Sequence, residues 1–117
     1  MKNLLFLLTH PPHGRIHAQE GLDALLMGSA FAVCNAVCLG DGLFQLLKDQ
    51  QTHEAGLKDF SKTFGALQDY GVTSVMVCHE DMADRNVAAG DLVIDVTVIG
   101  RSDVAGLITN ADQVLNF

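Results

Sequence analysis

Three cysteines and a trio of histidines near the start of this 117-residue chain are the residues whose types and spacing bear on chemistry. Cys78 stands out. It ends the apolar run Ser74-Val75-Met76-Val77 and precedes the polar stretch His79-Glu80-Asp81-Met82. A strand that stops there and a helix that starts there would set the thiol at a helix N-terminus. Free backbone N–H groups at such an end carry partial positive charge, which favours thiolate, the nucleophilic form of cysteine. A His79 ring turned back would add to that effect, and Glu80 and Asp81 would oppose it. The same position also suits an inert, partly buried structural cysteine. Both readings stand at this level.

The other clusters point more weakly to chemistry. Cys34 and Cys38 share a face whether the segment is helix or strand. The neighbours Val33, Val37 and Leu39 favour strand. On a strand the two lie ~13 Å apart, beyond disulfide reach and too far apart to share a metal. They are expected in the core. His10, His13 and His17 give three imidazoles, but Pro11-Pro12 stiffens the first pair and no cysteine or carboxylate completes a zinc signature. No metal site is expected. Gly14 follows a strand without either glycine-rich phosphate-loop pattern, and Asp41 is the only good strand-end carboxylate for a phosphoacceptor cluster. No cofactor is expected.

The elements that must position Cys78 read as strand and helix in alternation. Strands are expected at Asn3–Leu8, Phe31–Leu39, Ser74–Cys78, Leu92–Ile99 and Val114–Phe117. Their apolar runs are continuous, which suits strands buried on both faces of a parallel sheet. Between them, Ala18, Leu22, Leu25 and Leu26 share a helical face, as do Leu57, Phe60, Phe64 and Leu67, with Gly71 as a stop. Ser102 can cap a short helix running through Leu107. Lys48 to Gly56 is polar, an exposed connection. Gly42 to Leu47 is strongly apolar, either core or a patch covered by another subunit. The expectation is one α/β domain over residues 1–117. It is a flavodoxin-like three-layer fold with a mostly parallel sheet of about five strands. Sites in such sheets gather beyond the carboxyl ends of the strands. Thr9–Gly14, Gly40–Gly42 and Cys78–Asp81 should therefore meet.

Composition narrows the function. The net charge of −7 disfavours direct contact with a phosphate backbone, so no nucleic acid is expected to bind. An odd cysteine count without a secretory signal fits a reducing cytoplasm. The run Leu4 to Leu8 is too short for a signal peptide, and Ala24 to Gly40 is too short and too polar to cross a membrane. Apolar residues make up 49% and charged residues 18%, a balance that hints at surface covered by a partner protein.

Taken in order, several segments resemble the DsrE/DsrF family, in its TusC/DsrF branch. They are Pro12-His13-Gly14, Glu20-Gly21-Leu22-Asp23-Ala24-Leu25-Leu26 with Ser29-Ala30, Asp41-Gly42-Leu43-Phe44-Gln45-Leu46-Leu47, Val77-Cys78 and Val114-Leu115-Asn116-Phe117. The resemblance implies a subunit of a sulfur-relay complex. TusB-like and TusD-like partners would assemble with it as a heterohexamer, a dimer of heterotrimers. That complex would pass persulfide sulfur from a TusA-like donor to a TusE-like acceptor for 2-thiolation of the wobble uridine of certain tRNAs. In the DsrEFH counterpart the destination is sulfur oxidation. The family's established carrier cysteine belongs to the TusD/DsrE subunit, at a strand end before a helix. Cys78 matches that place by order along the chain, so it is the candidate catalytic residue. This branch is not the recognised carrier, which implies an accessory, non-catalytic subunit. A small-ligand module of flavodoxin-like form, using the Thr9–Gly14 loop, is the alternative of another class.

Overall fold

The computed structural model describes residues 2–10, 17–46, 74–92 and 96–117. The expected helix around Leu57 to Leu67, the polar connection from Lys48 to Gly56, and Pro11 to Gly14 lie outside the described residues.

The apolar runs form the strands for which their composition suits them. These are β1 (Asn3–Leu8), β2 (Val33–Cys38), β3 (Ser74–Cys78), β4 (Thr97–Ile99) and β5 (Gln113–Asn116). All pair in parallel, in the order β4-β3-β2-β1-β5. The last strand thus flanks β1 on the side taken by the second strand in the common 2-1-3-4-5 flavodoxin-like order. Side chains alternate between two buried faces. Phe6, Leu8, Cys34, Ala36, Cys38, Val75 and Val77 pack on one face. Leu5, Leu7, Val37 and Met76 pack on the other.

Topology decides which helix covers which face. The steps from β1 to β4 all run one way across the sheet, and right-handed crossovers put their helices on one side. There lie α1 (His17–Gly28), through Leu22 and Leu25, and α2 (His79–Asp84), through Met82. Full burial of a leucine contributes about 1.5–3 kcal/mol, so Leu22 and Leu25, both 0% exposed, anchor α1. The step from β4 back across the sheet to β5 runs the other way. It sends α3 (Arg101–Asn110) to the opposite face, where Val104 is its one buried residue. The result is three layers.

Several expected boundaries shift. Phe31 is not in β2. It sits in the turn after α1, 81% exposed, where its N–H donates to the Gly28 carbonyl at 3.0 Å. Of the strand expected over Leu92–Ile99, Thr97–Ile99 is strand, and residues 93–95 lie outside the described residues. Leu92 follows a short 3-10 turn, Ala89–Asp91, and is buried in the core. Ser102 does not cap α3. Gly100 holds that position in extended backbone, and its N–H donates to the Asp103 carboxylate at 2.9 Å. The segment Gly40–Leu46 is a 3-10 helix with Gly42, Leu43, Gln45 and Leu46 buried, so within the described residues the apolar patch is core. Gly42 lies so close to β1 that a Cβ there would meet the Leu8 carbonyl oxygen at 1.9 Å.

Candidate functional site

The carboxyl ends of β1, β2 and β3 converge as expected of a parallel sheet. The 3-10 segment after β2 joins all three. Leu39 N–H donates to the Leu8 carbonyl at 3.0 Å, Gln45 Nε2 to the His10 carbonyl at 2.8 Å, and Gly40 N–H to Asp81 Oδ2 at 2.9 Å. Gly40 has φ +55°, the left-handed region open to glycine at little cost.

Cys78 is where its neighbours in sequence predict: the last residue of β3 and the N-cap of α2, in extended backbone. Its side chain is 0% exposed. The thiol donates to Glu80 Oε1 at 3.3 Å. That carboxylate is tied down in turn. The Arg101 N–H, at the start of α3, donates to both of its oxygens at 3.0 and 3.1 Å, and His79 Nε2 lies 3.0 Å from Oε1. Desolvation pushes the Glu80 carboxyl up, but the bonds from the Arg101 N–H and the Cys78 thiol, with His79 beside it, outweigh that and hold it below the usual range. The His79 ring therefore turns to Glu80 and not to the sulfur. The N-terminal field from α2 is that of a six-residue helix.

Asp81 is the buried charge of this region. Its Oδ1 accepts from Arg101 Nη2 at 3.0 Å, with Arg85 Nη1 at 3.7 Å, and its Oδ2 takes the Gly40 N–H. One side chain thereby joins the loop after β2, α2 and the start of α3. The hydrogen bond and charge of Asp81 raise the Arg101 guanidinium further above its ordinary value. Asp41 is paired with Arg85, with Oδ1 at 3.1 Å from Nη2. It stands in no carboxylate cluster among the described residues.

The remaining cysteines are core residues. Cys34 and Cys38 are both 0% exposed, on the face that carries Val75 and Val77. Cys78 follows Met76 in the alternation, toward the other face. All three are free thiols. Burial pushes the Cys38 thiol up to about 12 and raises Cys34 as well. Of the three histidines, His10 lies just past β1 and the backbone of His17 opens α1. His13 is outside the described residues. Among the described residues, no three His, Cys, Asp or Glu side chains group as metal ligands, and no helix is long and apolar enough to cross a membrane.

Sequence reasoning missed Arg101. It lies 23 positions beyond Cys78, after β4, and only the sheet order brings it to the end of β3. The parallel pairing of β3 with β4 was the signal available, since it sets the residues after each strand side by side.

Residues 2–117 match the DsrE/DsrF-like family. A protein from Vibrio vulnificus (strain CMCP6) named "Protein TusC homolog" is 35% identical over 118 residues, covering all of both chains. "Protein TusC" of Buchnera aphidicola subsp. Baizongia pistaciae is 31% identical over 119 residues, again covering both in full. Among solved structures, the ychN protein from E. coli superposes with a TM-score of 0.87 at 17% identity. A protein of unknown function from Methanobacterium thermoautotrophicum does so at 0.74 and 15%. Both cover 100% of each chain, and at these identities they speak for the fold alone.

Proposed function

The chain belongs to the DsrE/DsrF-like family, and from that premise we propose that it is the TusC-type subunit of a cytoplasmic sulfur-relay complex. In this reading it assembles with TusB-like and TusD-like subunits as a dimer of heterotrimers. The complex takes persulfide sulfur from a TusA-like donor and hands it to a TusE-like acceptor for 2-thiolation of the tRNA wobble uridine. This subunit's part is structural, beside a sister subunit's carrier cysteine. It touches neither nucleic acid nor membrane.

The observation that carries the reading is full-length similarity to TusC proteins. The state of Cys78 supports the accessory role. Sulfur transfer begins when a thiolate attacks the outer sulfur of a donor persulfide. The donor S–S bond breaks, and the donor cysteine leaves as thiolate. Cys78 is 0% exposed and hydrogen-bonded to a carboxylate, an arrangement poorly suited to that attack. Co-expression with TusB-like and TusD-like partners is expected to give a stable hexamer. A chain that stays apart from them would sink the proposal.

A second reading has Cys78 itself as carrier, favoured by its place at a strand end before a helix. Mass spectrometry after incubation with a persulfidated donor decides between the two. A gain of one sulfur on Cys78 supports the carrier, and an unmodified but alkylatable thiol excludes it. For the DsrF-like alternative in sulfur oxidation, neighbouring genes of dissimilatory sulfite reductase type would be the mark.

A further inference from the structure

We propose that Glu80 is a positioning residue that latches the Cys78 thiol through its hydrogen bond and restrains its reactivity, and that the backbone N–H of Arg101 pins Glu80 there. The carboxylate has no proton to give, so the 3.3 Å contact to Cys78 Sγ exists with the thiol as donor. Thiolate is the nucleophile; the negative carboxylate at hydrogen-bond distance from sulfur opposes negative charge on it, while the charge of the Arg101 guanidinium, which also acts on Cys78, favours it. The carboxylate is not free to leave. Both of its oxygens take the same Arg101 N–H, at 3.0 and 3.1 Å, so a rotation that frees the sulfur also strips that N–H of its partner. His79 Nε2 stands 3.0 Å from the oxygen that faces the sulfur and helps hold it.

The pin links Cys78 to the start of α3. Among the ten residues of α3, Val104 is the only buried one. Leu107, partly buried, packs beside it, and Arg101 Nη2 on Asp81 Oδ1 holds the start of the helix. The inference rests on the accessory reading above for its biological sense: a subunit with a strand-end cysteine gains from keeping that thiol out of the relay. The latch itself is tested without partners, so its failure and the failure of the assembly reading are separate results.

The test is alkylation by iodoacetamide at neutral pH, read cysteine by cysteine by mass spectrometry of peptides from the full chain. Cys34 and Cys38, buried in the core, report opening of the whole fold, and Cys78 reports the latch. Glu80→Ala is expected to raise the Cys78 rate about tenfold or more, the scale of a hydrogen bond to a charged group. Glu80→Gln, which keeps the acceptor and loses the charge, falls between. Arg101→Pro removes the pinning N–H at the first helical position, where proline fits, and Gly100 before it is already extended at φ −85°, ψ 157°. Arg101→Ala removes the side chain and keeps the N–H. The proline variant is expected to alkylate about fivefold faster than the alanine one. A Cys78 rate unchanged in Glu80→Ala overturns the proposal, as does a rise shared equally by Cys34 and Cys38 in both Glu80→Ala and Arg101→Pro. If Glu80→Ala alone opens the whole fold, the Arg101 pair decides, and equal rates in that pair overturn it.

Discussion

Replacing Gly42 by alanine tests how the segment after β2 is seated against the sheet. A Cβ at that position would meet the Leu8 carbonyl oxygen at 1.9 Å, its carbon at 2.6 Å and Thr9 Cα at 3.1 Å. All three are backbone atoms. The oxygen cannot retreat cheaply, because it accepts the Leu39 N–H at 3.0 Å, while Gly42 itself donates to the Leu39 carbonyl at 3.0 Å. Relief must come from moving Gly40–Leu46 away from β1. Overpacking of this kind costs about 1–3 kcal/mol. The shift also draws Leu43 and Leu46, each 0% exposed, partly out of the core. Losing about a third of their burial adds roughly 1–2 kcal/mol. The expected loss is thus about 2–5 kcal/mol, a large part of the 5–15 kcal/mol typical of a domain. Urea unfolding followed by circular dichroism measures it. A loss under about 1 kcal/mol would refute the close approach of Gly42 to β1.

Three further outcomes follow from the same packing. Gly106 lies within α3 with open space where a Cβ would be, so Gly106→Ala is expected to raise stability by about 0.5–1 kcal/mol in the same assay. Asp81→Ala leaves the part-buried Gly40 N–H and the Arg101 guanidinium without their shared acceptor, and about 2 kcal/mol should be lost. Cys38 carries a pH signature. Its folded-state value of about 12 lies above the ordinary 9.0, so the unfolded chain loses this proton first. The stability it lends is complete below about pH 9 and falls by about 1.4 kcal/mol per pH unit between there and 12. Urea titrations across this range should show a shallower fall in Cys38→Ala, and an unchanged fall would refute it.

The strands at the centre of the sheet were the legible part of the fold. β1 and β3 run over the very residues expected, because continuous apolar runs bounded by polar or turn residues allow little else. Boundaries failed where apolar character and burial part company. Phe31 is apolar yet 81% exposed, in a turn outside β2. Ser102 has the chemistry of a cap, but the Asp103 carboxylate takes the Gly100 N–H and the cap of α3 falls two residues earlier. At the site, the position of Cys78 was legible from the switch between a β-run and polar residues. Its hydrogen-bond state was not. Proximity in sequence marked Glu80 as an opposing charge, but the pin from Arg101 depends on β4 lying beside β3, a pairing between segments far apart in the chain.

The role proposed for this chain is to support the relay without carrying sulfur. The direct measurement is sulfur transfer by a complex assembled from this chain with its TusB-like and TusD-like partners, with Cys78→Ser in place of the native subunit. The hydroxyl keeps a donor for Glu80, so the fold is undisturbed. The account predicts transfer from persulfidated TusA-like donor to TusE-like acceptor at essentially the native rate. Abolished transfer in an intact complex would contradict it and make Cys78 a carrier.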